Sequence, residues 1–248
     1  TNLRRQINIS FSENVLRLSK NVNRRTGKPA PILNQRFIDY VAEHAKELDE
    51  LIDHFRDSRF TYFSICTIIK MYLAKIKVPN PNKGEEDIKE VVELPQFMFM
   101  RVAVWLGMKR GIDSIKKAYD LLSLGKCTFG SPTMYGCGCS GSSNLASCFL
   151  MTIESDSMPG ICSTISDCAI TSQSGGGLGV AISNLRCNGA SISGGGSARG
   201  VVPVMGVLGK MLQYADQRDM RPGNSAVYLE VWHADLLDVL KFLKISGV

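Results

Sequence analysis

The sequence predicts an α/β protein, with a helical domain over residues 1–126 followed by a parallel β/α portion over residues 127–248. Three observations carry this. In the first part, apolar residues recur at three- and four-residue spacing, the period of a helix with one face turned inward. Beyond Lys126 the texture changes to short apolar runs between glycines, separated by helix-length segments, which is how buried parallel strands read. Charge divides at the same place: residues 1–126 carry 22 Lys and Arg against 15 Asp and Glu, and residues 127–248 carry 7 against 8.

The elements follow in order. Phe37, Ile38, Val41, Ala45, Leu48, Leu51, Ile52 and Phe55 share one helical face over Asn34–Phe55, with Asn34 as the N-cap. A second helix is expected over Ile65–Ile76, ended by Pro79-Asn-Pro81 and the charged loop Lys83–Glu90. Pro95 can open a third through Leu106, and Ile112–Leu124 forms a fourth, with the methionines as core filler. In the second part, Ser147–Ile153, Leu178–Leu185 and Val227–Val231 read as strands. Ile161–Thr171, Pro203–Ala215 and Ala234–Leu243 read as helices. Between Cys127 and Ala198 only Glu154, Asp156, Asp167 and Arg186 are charged, so that stretch is expected to be largely buried.

Composition removes several classes of function. The most apolar helix-like run, Phe97–Met108, is too short to span a bilayer and contains Arg101. The basic excess of the first part is mixed with acids and lacks interleaved aromatics, which argues against nucleic acid as a partner. Eight cysteines without a secretory leader fit a reduced, cytoplasmic setting. Cys137-Gly-Cys139 has no second ligand pair at metal spacing, so no metal site is expected. The first residue, Thr1, points to processing or to a fragment.

Two features hold chemistry. Gly175-Gly-Gly-Leu-Gly179 precedes a strand, so it is neither a dinucleotide fingerprint nor a phosphate loop of the helix-opening kind. It reads either as a tight turn or as a loop with amides free for an oxyanion. Cys148 follows an uncharged Ser/Gly segment and opens a strand near that loop. A buried cysteine is ordinarily inert.

Taken in order, Leu94-Pro-Gln-Phe-Met-Phe-Met-Arg101, Ser131-Pro-Thr-Met-Tyr135, Leu145-Ala-Ser-Cys148-Phe-Leu150, Asp156-Ser157, the Gly175–Gly179 run, Asp216-Gln217, Arg221-Pro-Gly223 and Tyr228-Leu-Glu-Val-Trp-His233 resemble the catalytic large subunit of class I ribonucleotide reductases, most closely the eukaryotic and large-DNA-virus branch. The resemblance implies a helical domain followed by the first part of a ten-stranded α/β barrel. It implies reduction of ribonucleoside diphosphates for DNA precursor synthesis, with Cys148 as one of a redox pair that becomes a disulfide each turnover. Ser131, Ser147, Cys148, Gly176 and Gly177 match substrate-binding positions. Asp156, Ser157, Met158, Arg186, Ser193, Gly194 and Asp216 match the site for a dNTP or ATP effector, where an arginine can grip phosphate oxygens. Gln217, Arg218 and Arg221 match the loop that passes effector identity to substrate choice. The implied partners are a radical-generating small subunit with a di-metal/tyrosyl radical centre, thioredoxin or glutaredoxin, and a second large subunit. No cofactor is implied in this chain.

There are departures. Gln173 stands where the family has a lysine, Arg218-Asp219 where it has Gly-Gly, and Cys137-Gly-Cys139 where it has an Asn-Ala-Gly-Thr-like turn. The radical cysteine and the partner of Cys148 belong to family segments beyond Val248, so the chain alone is expected to be inactive and aggregation-prone. A second reading is a degenerate homologue that acts as an interaction or signalling module.

Overall fold

A computed structural model describes residues 9–24, 26–80, 87–141, 144–215 and 223–246. The chain packs as two compact units, residues 1–145 and 146–248. The division falls beyond the change of texture at residue 127. The cause is Arg101, whose guanidinium donates to the carbonyls of Met134 and Cys137 and so ties the 131–139 segment to the helical unit.

The first unit begins with α1 (Phe11–Ser19), closed by a capping box between Ser10 and Glu13. Asn34 caps α2 (Gln35–Glu43) as expected, accepting from the Arg36 amide at 3.0 Å. The single helix expected to Phe55 is broken at His44, with α3 (Ala45–Glu50) after it and a 3₁₀ turn at His54–Arg59. The break leaves Phe55 off the apolar stripe and 89% exposed. Helix α4 (Tyr62–Met71) ends before the expected Ile76, because Lys75–Val78 (β1) pairs antiparallel with Ile88–Val91 (β2). Helix α5 (Pro95–Gly107) starts at its proline and is buried from Pro95 to Val104, with Met98 and Met100 fully enclosed; Met71 on α4 remains exposed. Helix α6 (Ile112–Ser123) lies close to α5, since a Cβ on Gly107 would sit 2.8 Å from Ile115 Cγ1. A short helix, α7 (Ser131–Gly136), completes the unit.

Inside it, Arg101 and Glu93 are paired, Nε to Oε1 at 2.7 Å, with side-chain exposures of 1% and 2%. Burial works against the Arg101 charge, but Glu93 outweighs it and holds the guanidinium above its ordinary value.

The second unit alternates strand and helix: β3 (Cys148–Thr152), α8 (Met158–Gln173), β4 (Gly177–Ala181), α9 (Val201–Tyr214), β5 (Ser225–Tyr228) and α10 (Leu236–Ser246). The strands form a parallel sheet in the order β3-β4-β5, open rather than closed, as a part of a barrel would be. Period-two alternation sorts its faces. Phe149, Met151, Leu178, Val180 and Val227 join the core under α8 and α9. Cys148, Leu150, Thr152, Ala226 and Tyr228 lie on the opposite, exposed face.

The expectation that residues 127–198 are largely buried is not met. Of the sixteen residues of α8, only Cys168 and Ser172 are buried, and Leu150, Met158 and Ile170 are all more than half exposed. Absence of charge in this stretch marks uncovered apolar surface.

Candidate functional site

Three separated segments converge on one cavity of about 640 Å³ in the second unit. Asp156, Ser157 and Met158 come from the entrance to α8, Arg186 follows β4, and Ser193 lies in the loop that leads to α9. Ile161, Ile165, Leu185, Val204 and Val207 supply apolar wall. The entrance to α8 is fixed by Ser157, whose Oγ caps the Gly160 amide at 3.2 Å. Gly160 has to be glycine, because a Cβ would lie 2.6 Å from the Ser155 carbonyl oxygen.

Arg186 is the hub. Its Nε donates to Asp156 Oδ2 at 2.5 Å, one terminal nitrogen to the Asp156 carbonyl at 3.2 Å, and the other to the Ser191 carbonyl at 3.2 Å. Oδ1 of Asp156 has no partner among the described residues, so it can accept from a ligand hydroxyl.

The cavity floor is tied to the segment after β5. Asp235, 4% exposed, accepts from the amides of Asn188 and Val201 at 2.9 and 3.0 Å. His233 Nδ1 accepts from the Asp235 amide at 3.1 Å, which leaves Nε2 to donate to the Leu185 carbonyl at 2.8 Å. Glu230 N donates to Ser183 Oγ at 3.0 Å. Sequence reasoning marked the Tyr228–His233 motif but missed Asp235 and Arg199. A lone acid in an amphipathic helix start and an arginine in a glycine loop carry no local signal.

Of the remaining expected effector residues, Gly194 sits in the glycine loop at φ 88° and is not in the cavity wall. Asp216, Gln217, Arg218 and Arg221 lie outside the described residues.

The residues matched to substrate binding are distributed differently. Ser131 opens α7 in the first unit, its hydroxyl 3.4 Å from that of Tyr72. In the second unit Ser147 precedes β3, and Cys148 is exposed at its first position, not buried as an inert thiol would be. Gly177 pairs with Cys148 across the ladder, and a Cβ there would lie 3.8 Å from the Cys148 sulfur. The glycine run does not offer free amides. Gly175 N donates to Ser172 O, Gly176 N to Thr171 O and Gly177 N to Ser147 O, at 2.9, 3.1 and 2.7 Å. With Gly175 at φ 97°, the first two bonds form a Schellman cap that closes α8. Gly176 packs away from Cys148, against the Phe149 ring and Thr171.

All eight cysteines are free. Burial pushes the Cys137 thiol up to about 12 and raises Cys139 as well, so both are held as thiols. No helix among the described residues is long and apolar enough to cross a membrane.

Comparison with known proteins divides the chain near the same place as its two compact units. A family model described as "Ribonucleotide reductase, all-alpha domain" matches residues 58–142, and one described as "Ribonucleotide reductase, barrel domain" matches residues 146–247. The ribonucleoside-diphosphate reductase large chain of Schizosaccharomyces pombe is 37% identical over the whole chain, which covers 29% of that relative. The large subunit of Arabidopsis thaliana is 36% identical with the same 29% coverage, and that of Vaccinia virus is 37% identical with 31%. The chain thus spans about three-tenths of the length of the curated relatives it matches. With the two family domains in sequence along it, this chain belongs to the ribonucleotide reductase large-subunit family.

Proposed function

We propose that this chain is the portion of a ribonucleoside-diphosphate reductase large subunit that carries the dNTP effector cavity and one redox cysteine. The observation that supports it most is the convergence of Asp156, Ser157, Met158, Arg186 and Ser193 on a single cavity of about 640 Å³. Asp156 Oδ1 is available for a sugar hydroxyl, the apolar wall suits a base, and Arg186 retains N–H donors for phosphate.

Cys148 acts on the exposed sheet face, paired in turnover with a second thiol outside this chain. Two thiols become one disulfide, and the two electrons and two protons they release reduce the ribose carbon as its 2′-hydroxyl leaves as water. Gly177 contributes clearance beside that thiol, since its amide is already bonded. The radical comes from a separate small subunit with a di-metal/tyrosyl centre, thioredoxin or glutaredoxin resets the disulfide, and two large subunits associate. ATP and dNTPs are the allosteric effectors, and the work is cytoplasmic.

The test is calorimetry of dTTP and dATP binding to the 248-residue chain. In parallel, iodoacetamide labelling of Cys162, which lines the cavity, is compared with Cys66 in the other unit. The expected result is binding lost in Arg186→Ala, and protection of Cys162 but not of Cys66. A folded chain that shows neither heat nor protection would overturn the reading.

A further inference from the structure

We propose that Arg199 is a phosphate-pairing residue of this cavity and sets its preference for nucleotides that carry more than one phosphate. The assignment rests on the effector-site reading and deepens it.

The charged residues of the cavity wall are Asp156, Arg186 and Arg199. The first two neutralise each other, at 2.5 Å. Arg186 has five N–H groups and commits three of them to Asp156 and Ser191, which leaves one on each terminal nitrogen. Those two can orient an oxyanion, but the charge behind them is already compensated. Arg199 differs. It is exposed, and among the described residues it has neither a hydrogen bond nor an ion pair.

At the two helix N-termini beside the cavity, backbone amides are already engaged. Arg199 stands two residues before α9, whose N-terminus would ordinarily attract an anion. That end is taken by a buried carboxylate, because Val201 N donates to Asp235 Oδ2 at 3.0 Å. At the start of α8, Pro159 has no N–H and Gly160 N is held by Ser157. Within the described cavity wall, uncompensated positive charge therefore resides on Arg199. The backbone that leads to it is held, since Ala198 donates to the Ala190 carbonyl at 2.8 Å and accepts from the Gly189 amide at 3.0 Å. An exposed, unpaired guanidinium in the cavity wall matches the chemistry of a nucleoside di- or triphosphate, where each added phosphate brings charge that Arg186 alone cannot balance.

The test is the affinity of the 248-residue chain for dTTP and dTMP at two salt concentrations, compared with Arg199→Ala and Arg199→Lys. Loss of one charge-assisted contact should weaken dTTP about ten- to a hundredfold in Arg199→Ala. The dTMP affinity should change by less than about threefold, the salt dependence of dTTP binding should flatten, and Arg199→Lys should recover part of the loss. Equal dTTP affinity in wild type and Arg199→Ala, while Arg186→Ala loses binding, would overturn this assignment and leave the effector cavity standing. Equal loss of dTTP and dTMP in Arg199→Ala would also overturn it, as a general disturbance of the wall. A wild-type chain that binds no nucleotide would remove the effector-site reading and this assignment with it.

Discussion

Arg101→Met removes the cation at the centre of the helical unit and leaves Glu93 with a single partner, the Ala74 amide at 2.9 Å. Five hydrogen bonds go with it, two to Glu93 and three to the carbonyls of Met134, Tyr135 and Cys137. Breaking a buried pair by deleting one partner costs about 3–5 kcal/mol, because the remaining charge stays in a low dielectric. At about 2–4 °C per kcal/mol, the melting temperature of this unit should fall by roughly 6–20 °C. The second half of the prediction separates the cost of an orphaned charge from the worth of the pair. Arg101→Met with Glu93→Leu should recover at least about half of the loss, since a buried ion pair gains little over an apolar pair of similar volume. Recovery stays incomplete because the carbonyls of Met134 and Cys137 lose their guanidinium donor. Urea unfolding followed by Trp105 fluorescence reports on this unit, provided the other tryptophan, Trp232, is replaced by Phe. A single-variant loss below about 1 kcal/mol would refute the reasoning, as would a double variant no better than the single.

Three further outcomes are expected. Brief alkylation at pH 8, read by peptide mass spectrometry, should modify the exposed Cys66, Cys127, Cys148 and Cys162 well before the buried Cys137 and Cys168; equal rates would count against the packing described. Because the folded unit holds Cys137 up at about 12, against 9.0 ordinarily, its contribution to stability is intact below about pH 9 and lost as pH rises toward 12; Cys137→Ala should flatten that alkaline decline in a melting series. Gly160→Ala should destabilise the second unit by about 1–3 kcal/mol and weaken nucleotide binding, whereas Gly179→Ala, whose Cβ would meet only the movable ends of Leu150 and Tyr228, should cost less than about 1 kcal/mol by Trp232 fluorescence.

Much of the fold was legible wherever one short-range rule dominated. Pro95 at the first turn, the Asn34 cap, and the glycine-bounded runs at Cys148–Thr152 and Gly177–Ala181 each declare an element on their own. The break at His44 and the β1–β2 hairpin were not legible, because apolar spacing continues through both and long-range pairing decides them. The cavity residues could be picked out from motifs matched to the family, but their convergence depends on chain segments thirty and more positions apart. The glycine run stayed open between a tight turn and a phosphate loop for a local reason: free amides and a Schellman cap have the same sequence, and the bonds from Gly175 and Gly176 to α8 decide for the turn.

The latch formed by Glu230, His233 and Asp235 has a consequence for the order in which the molecule can assemble during synthesis. Every side chain named in the cavity wall lies between residues 156 and 207, yet the four bonds that hold its floor come from residues 230–235. A nascent chain that has emerged only as far as Leu229 carries the whole lining without its fastening. The amides of Asn188 and Val201 would then face each other without the carboxylate that joins them. The wall of this cavity is therefore fastened only when six further residues, Glu230 to Asp235, have followed it from the ribosome.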